Sequence, residues 1–190
     1  MLIKKQGLIA GAFKPYTSGH HFLISEASKQ CDYVIVYVST NDRVRKNEYP
    51  IMWNQMEKIW SKYICPSLPE NIFPKFVQNP TVELYNHLQE INTKVSTKET
   101  QYYVYADKKD ISYMESDRVK NKLNNLIELG ILHTVSYDRE KNVNVSGTLL
   151  RQTLQNNDYD KFEKLMPNSL KTNAKQIYGI LRKNNGNQAY

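Results

Sequence analysis

Apolar and polar positions along this chain fall into short blocks whose period changes from one block to the next. Residues 7–13 (GLIAGAF) form an uncharged run that ends at proline and glycine, the pattern of a buried strand. Residues 19–30 then place Phe22, Leu23 and Ala27 at helical spacing. Residues 33–38 (YVIVYV) are β-branched and aromatic without a charge, which predicts a central strand. The next block, 50–64, predicts a helix with Pro50 in its first turn and Met52, Met56, Ile59, Trp60 and Tyr63 on one face. A third strand is expected over 72–77, although Pro74 lies inside it. Thr81 is expected to cap a helix running through Leu84, Leu88 and Ile91. Residues 102–106 (YYVYA) read as a fourth strand, 116–129 as a helix stopped by Gly130, and 131–137 as a fifth strand. From about 147 the pattern is helical to the end, with a break at Pro167.

Strands alternating with helices over short connections imply an α/β fold: a parallel five-stranded sheet with helices on both faces, followed by a C-terminal helical segment. Ligands of such sheets bind beyond the carboxyl ends of the strands, near the point where strand order switches. Neither a repeat nor a linker is visible, so residues 1–183 are expected to form one domain and 184–190 a polar tail.

Composition narrows the classes. At 40% hydrophobic and 24% charged residues the 190-residue chain is globular in character. Its net charge of +7 favours anionic partners without separating nucleotide from nucleic acid. Basic side chains without an aromatic stacking stripe argue against a dedicated single-strand binder. Cys31 and Cys65 suggest neither a metal cluster nor a disulfide framework, and a reducing setting is the simpler expectation. No run approaches the ~20 apolar residues of a membrane span. The start of the chain lacks the features of a secretion signal, so a cytoplasmic protein is expected.

Two segments carry chemistry. Gly11 to Leu23 reads GAFKPYTSGHHFL, where a strand should hand over to a helix at Gly19. Helix starts attract phosphate through free N–H groups and the helix dipole. Gly11 allows close backbone approach and Pro15 stiffens the turn. His20 lies in the first helical turn, able to donate to a phosphate oxygen, and Thr17 can cap that turn or donate a second bond. Far downstream, Val145 to Arg151 reads VSGTLLR. Ser146 and Thr148 offer hydroxyls at a second helix start, and Arg151 lies one turn in, where its fork can reach phosphate oxygens.

The first segment matches the pattern G-x-F-x-P-x-[HT]-x-G-H at Gly11, Phe13, Pro15, Thr17, Gly19 and His20. It resembles the signature of the HIGH-type nucleotidylyltransferases, a superfamily that includes the nicotinamide-mononucleotide and pantetheine-phosphate adenylyltransferases. The second segment resembles that superfamily's I-S-x-T-x-x-R element. The resemblance runs over roughly residues 7–167 and implies a Rossmann-like, cytidylyltransferase-like fold.

The resemblance further implies that Gly11, Ala12, Phe13, Gly19, His20, Ser146, Thr148 and Arg151 hold the nucleotide. His20, Thr17, Lys14, Lys46 and Arg151 would form the catalytic set. Lys46, with Arg43 and Arg45 close behind, is favoured as the phosphate-binding cation that relatives carry after the second strand. Asp107, with Lys108 and Lys109, is a weaker candidate on the same edge. Two departures bear on the acceptor: Ala12 stands where the pantetheine-phosphate enzymes usually carry a hydroxyl residue, and Lys14 replaces their aspartate. The S-G-T-L-L-R element looks more like that of the archaeal-type nicotinamide-mononucleotide enzymes.

The expected reaction needs no general base, because the acceptor phosphate is already a nucleophile. It attacks the α-phosphorus in line while His20 and Arg151 donate to the developing charge and Lys14 or Lys46 adds positive field. Lys14 is read as an ordinary lysine, charged well above neutral pH. Mg²⁺ is expected to arrive with the triphosphate, with no protein metal cluster. The expectation is therefore AMP transfer from ATP to nicotinamide mononucleotide first, or to phosphopantetheine next. CTP as donor and a non-catalytic nucleotide- or nucleic-acid-binding relative stand as alternatives. Self-association stays open. Trp60 and Trp53 are assigned to the core, with ring stacking as a lesser role for Trp53. His21, His87 and His133 are read as ordinary residues.

Overall fold

Strands Lys4–Gly11 (β1), Tyr33–Ser39 (β2), Ile72–Val77 (β3), Thr100–Asp107 (β4) and Leu132–Tyr137 (β5) pair in the order β3-β2-β1-β4-β5. Every pairing is parallel, with Leu8 opposite both Ile35 and Val104. The computed structural model describes residues 3–95, 98–108, 111–114, 116–137, 143 and 145–183, with backbone alone at 113 and 118. Lys109 and the expected tail 184–190 lie outside the described residues.

β2 is buried along nearly its whole length and β1 over Gln6–Ile9, because helices cover both faces, which is why β2 and the later part of β1 read as apolar runs. On one face Leu8, Ile35, Tyr37 and Val104 pack with Leu84 and Leu88 of helix Pro80–Lys94 (the third helix along the chain) and with Val119, Leu123 and Leu126. On the other face Tyr105 meets Cys31 and Gln30 at the end of helix Ser18–Gln30, α1. β3 is an edge strand, which explains Pro74: opposite Val36, it needs no donor for an outer neighbour.

The chain gathers into two compact units. One comprises Met1–Ala12, Leu23–Ser39 and Pro69–Asn142 and carries the sheet. The other comprises Phe13–Phe22, Thr40–Leu68 and Val143–Tyr190 and is largely helical. The second unit contains Trp53–Ile59 (α2), which continues as a π-helical turn, Trp60–Ile64. After the third helix, α3, and the short helices Asp117–Lys122 (α4) and Asn124–Glu128 (α5) of the sheet unit, the second unit resumes with Gly147–Gln155 (α6), Tyr159–Leu165 (α7) and Ala174–Arg182 (α8). Trp60, Met56, Ile59, Leu150, Leu154, Phe162, Ile177 and Leu181 form its buried interior. Gln55, itself buried, donates to the carbonyls of Ile180 and Leu181, and Arg182 donates to that of Leu154. These bonds satisfy helix-end carbonyls that have no partner within their own helix.

Several local expectations are corrected. The helix after β2 starts at Trp53 instead of Pro50, because Ile51 is tied into an antiparallel bridge with Arg43. Tyr63 is only half-buried, and Ile64 at the end of the π turn takes the fully buried place. Asn79 occupies the cap position of α3, with Pro80 in the first turn and Thr81 inside the helix. The helix expected over 116–129 breaks at Leu123 into α4 and α5, and Gly130 ends the second with φ of 66°. The C-terminal helices break at Asn157, with φ of 58°, as well as at Pro167. Among the described residues no helix is long and apolar enough to cross a membrane.

Candidate functional site

After β1 the chain enters the helical unit at Phe13, which takes φ of 51°. A bulky side chain in that region costs roughly 1–2 kcal/mol. Burial secures it: the Phe13 ring meets His20 edge-on at 4.9 Å and Trp60 at 5.8 Å.

Thr17 and His20 then lock the start of α1 reciprocally. The His20 N–H donates to Thr17 Oγ1 at 3.2 Å, and the Thr17 N–H donates to His20 Nδ1 at 3.1 Å. This is a capping box with histidine in place of the usual glutamate. A backbone N–H can only donate, so Nδ1 is the acceptor and the imidazole carries its proton on Nε2. Gly19 is required by packing: a Cβ there would lie 2.8 Å from the Val145 carbonyl oxygen, a backbone atom. The first motif is thereby held directly against the approach to the second.

Ser146 caps α6, accepting from the Leu149 N–H at 3.2 Å. One turn in, the buried Arg151 spreads its guanidinium over three partners. Nη1 donates to the Lys14 carbonyl at 2.9 Å and Nη2 to Thr148 Oγ1 at 2.8 Å. Nε forms an ion pair with Glu48 at 3.1 Å, without the alignment of a hydrogen bond. Gly147 makes room for this, since a Cβ there would come within 3.0 Å of Arg151 Nη1. Glu48 also accepts two bonds from Arg43, at 2.9 Å from Nε and 3.1 Å from Nη2.

Lys14 departs from the ordinary lysine expected of it. It is 3% exposed, with its ammonium 5.5 Å from the centre of the Trp53 ring. Burial pulls the ammonium down to about 8, opposed by the charge of Asp42 and assisted by that of Arg43. Asp42 in turn accepts from the Trp53 N–H at 2.6 Å at the start of α2. Trp60 is fully buried as expected, whereas Trp53 is half-buried under Lys14.

The predicted residues thus divide. Phe13, Lys14, Thr17, Gly19, His20, Ser146, Thr148 and Arg151 all belong to the helical unit, where Thr17 bonds His20 and Arg151 bonds Lys14 and Thr148. Gly11 ends β1 and Ala12 follows it, exposed, both in the sheet unit. Lys46 is exposed in a turn beside Asn47, which has φ of 64°, and Arg45 is likewise exposed. Arg43 is the cation of that loop brought to Arg151, and Glu48 is the residue that brings it. Glu48 escaped the sequence reading because a carboxylate in a charge-rich loop has no periodic signature. Among the described residues no three His, Cys, Asp or Glu side chains converge as a metal site.

The fold resembles solved nucleotidylyltransferases. A Plasmodium falciparum nicotinic acid mononucleotide adenylyltransferase complexed with NaAD superposes with a TM-score of 0.60 at 15% identity, over 94% of this chain and 97% of that one. A Vibrio parahaemolyticus protein described as a nicotinate-nucleotide adenylyltransferase gives 0.58 at 14% identity, over 91% and 99%. At such identities the likeness is one of fold. No protein of curated function matches the sequence. The model of the family described as "Citrate lyase ligase C-terminal domain" matches residues 7–172, nearly the whole chain. The chain belongs to this family, within the HIGH-type nucleotidylyltransferase superfamily, and is a nucleotidylyltransferase.

Proposed function

We propose that the protein transfers the AMP group of ATP to a small anionic acceptor and releases pyrophosphate. One observation carries the reading: the 2.9 Å bond from Arg151 Nη1 to the Lys14 carbonyl joins two motifs 137 residues apart. On this reading the Nε2 donor of His20, the Lys14 ammonium and the guanidinium groups of Arg151 and Arg43, all in the same unit, act on one substrate. These are donors and cations, suited to negative charge that builds on phosphate oxygens during in-line displacement. Such a set suits phosphate better than a metal ion, so Mg²⁺ would come on the triphosphate, where it neutralises charge. His20 donates from Nε2 to a phosphate oxygen, the remaining N–H groups of Arg151 do the same, and Lys14 holds the anion by charge. Ser146, Thr148, Gly11 and Ala12 are proposed to line the nucleotide, with Lys46 near its phosphates. Residues 1–183 are proposed to act as one catalytic domain.

Nicotinamide or nicotinate mononucleotide is the first acceptor proposed, supported by the fold neighbours, and phosphopantetheine the next. The word "ligase" in the family's description favours a second reading, in which the acceptor is a carboxylate. Its oxygen attacks the α-phosphorus, the bond to the bridging oxygen breaks, and an acyl adenylate forms as pyrophosphate leaves. Pyrophosphate release should be followed with ATP or CTP against mononucleotides, phosphopantetheine and small carboxylates, with hydroxylamine added to trap an acyl adenylate. Release with ATP and a mononucleotide, and no hydroxamate, is expected. Hydroxamate formation would move the acceptor to the carboxylates, and no release with any pair would end the enzymatic reading.

Lys14 gives the reaction an expected pH dependence. Its charged form prevails below about 8 and is lost as pH rises through that value. Because kcat/KM reports the free enzyme, kcat/KM for ATP should fall above pH 8 in the native protein. Lys14→Arg should flatten that limb, since arginine stays charged, and Lys14→Ala should show a raised KM with no limb. A Lys14→Ala profile that still falls at pH 8 would remove Lys14 from substrate binding.

A further inference from the structure

Glu48 stands between two guanidinium groups. Its carboxylate accepts Arg43 Nε at 2.9 Å and Arg43 Nη2 at 3.1 Å, and it lies 3.1 Å from Arg151 Nε. Its side chain is one-quarter exposed, whereas that of Arg151 is 5% exposed. Two cations this close would repel in a partly dry setting unless a charge of opposite sign lay between them. The backbone supports the arrangement, since Arg43 is fixed in its bridge to Ile51 while the Glu48 N–H donates to the Arg45 carbonyl at 3.2 Å within the loop that joins them. Burial pushes the Glu48 carboxyl up, but the Arg43 bond and the charges of Arg151, Arg43 and Arg45 hold it below the usual carboxylate range.

We infer that Glu48 is a positioning residue: it clamps Arg43 beside Arg151 so that both guanidinium groups serve the same phosphate group of the substrate. The inference rests on the adenylyl-transfer reading above. It assigns Arg43 a role in catalysis that depends on Glu48, and it makes Glu48 useful despite its charge, which alone would repel a triphosphate.

The opposing signs give a clean test. If Glu48 were only a stray negative charge near the site, Glu48→Gln would tighten ATP binding and leave kcat unchanged. As a positioning residue, it should lower kcat about tenfold when changed to Gln, through misplacement of Arg43, with KM for ATP within about threefold of native. Glu48→Asp, which keeps the charge, should recover most of kcat. Arg43→Ala should lower kcat similarly alone and add little in a Glu48→Gln background, because the pair acts as one unit. Thermal unfolding of each variant shows that the comparison is made on folded protein. An active native enzyme whose Glu48→Gln variant keeps full kcat, or whose two changes add independently, overturns the inference alone. A native protein that releases no pyrophosphate from ATP overturns the underlying reading, and this inference with it.

Discussion

Replacing His20 with alanine should lower kcat for nucleotidyl transfer by about 10²–10³-fold, as for loss of one donor aimed at developing charge. The expectation follows from the orientation of the ring. Thr17 supplies a backbone donor to Nδ1, so the neutral ring carries its proton on Nε2, the atom proposed to donate to a phosphate oxygen. The contact with Phe13 at 4.9 Å further limits ring rotation. A donor held this way loses little freedom when it meets a phosphate oxygen. Folding should suffer far less than activity. The ring's Nδ1 makes two bonds with Thr17, one to its N–H and one to its hydroxyl, each worth about 1 kcal/mol, while Thr17 Oγ1 still accepts the N–H of residue 20. The measurement is steady-state pyrophosphate release alongside thermal unfolding. A variant that unfolds at nearly the native temperature yet keeps turnover within about threefold of native would exclude His20 from the chemistry.

The fold was legible from the chain because its strongest signals were local. The β-branched run around Val34–Val38 could only be a covered strand, and the glycine-punctuated turns before His20 and at Gly130 marked true helix boundaries. Where the reading failed, a tertiary contact overrode local propensity. Pro50 is a good first-turn residue, yet the bridge between Arg43 and Ile51 holds the chain extended past it. Thr81 is a good cap, yet Pro80 already fits the first turn and moves the cap to Asn79. The site divides in the same way. Both motifs were visible because fixed residue types at fixed spacing build helix starts. Burial of Lys14 was not, because a lysine beside a strand reads as solvated until Trp53 and Asp42 are seen around it. Glu48 was invisible for a related reason: its partners, Arg43 and Arg151, come from separate segments of chain.

Arg151 should be the most sensitive position to substitution, since one side chain has both a structural and a chemical task. Arg151→Met keeps much of the volume but strands the Lys14 carbonyl, a buried acceptor, and removes one cation from Glu48. An unsatisfied buried group costs about 1–3 kcal/mol. For a chain of this size that corresponds to roughly 2–4 °C of unfolding temperature per kcal/mol. A domain stable by about 5–15 kcal/mol stays overwhelmingly folded at 25 °C after such a loss. Activity at 25 °C therefore separates the two tasks. If Arg151 only braces the Lys14 turn, turnover should stay near native once the protein is folded. If it also donates to the phosphates, kcat should fall by about 10²-fold or more, the loss of a transition-state donor. Arg151→Lys sharpens the contrast, because its ammonium restores charge near Glu48 but lacks the planar fork whose separate nitrogens reach the Lys14 carbonyl and Thr148. It should regain part of the lost stability and little of the lost turnover. The assignment fails if Arg151→Lys turns over within about threefold of native at 25 °C.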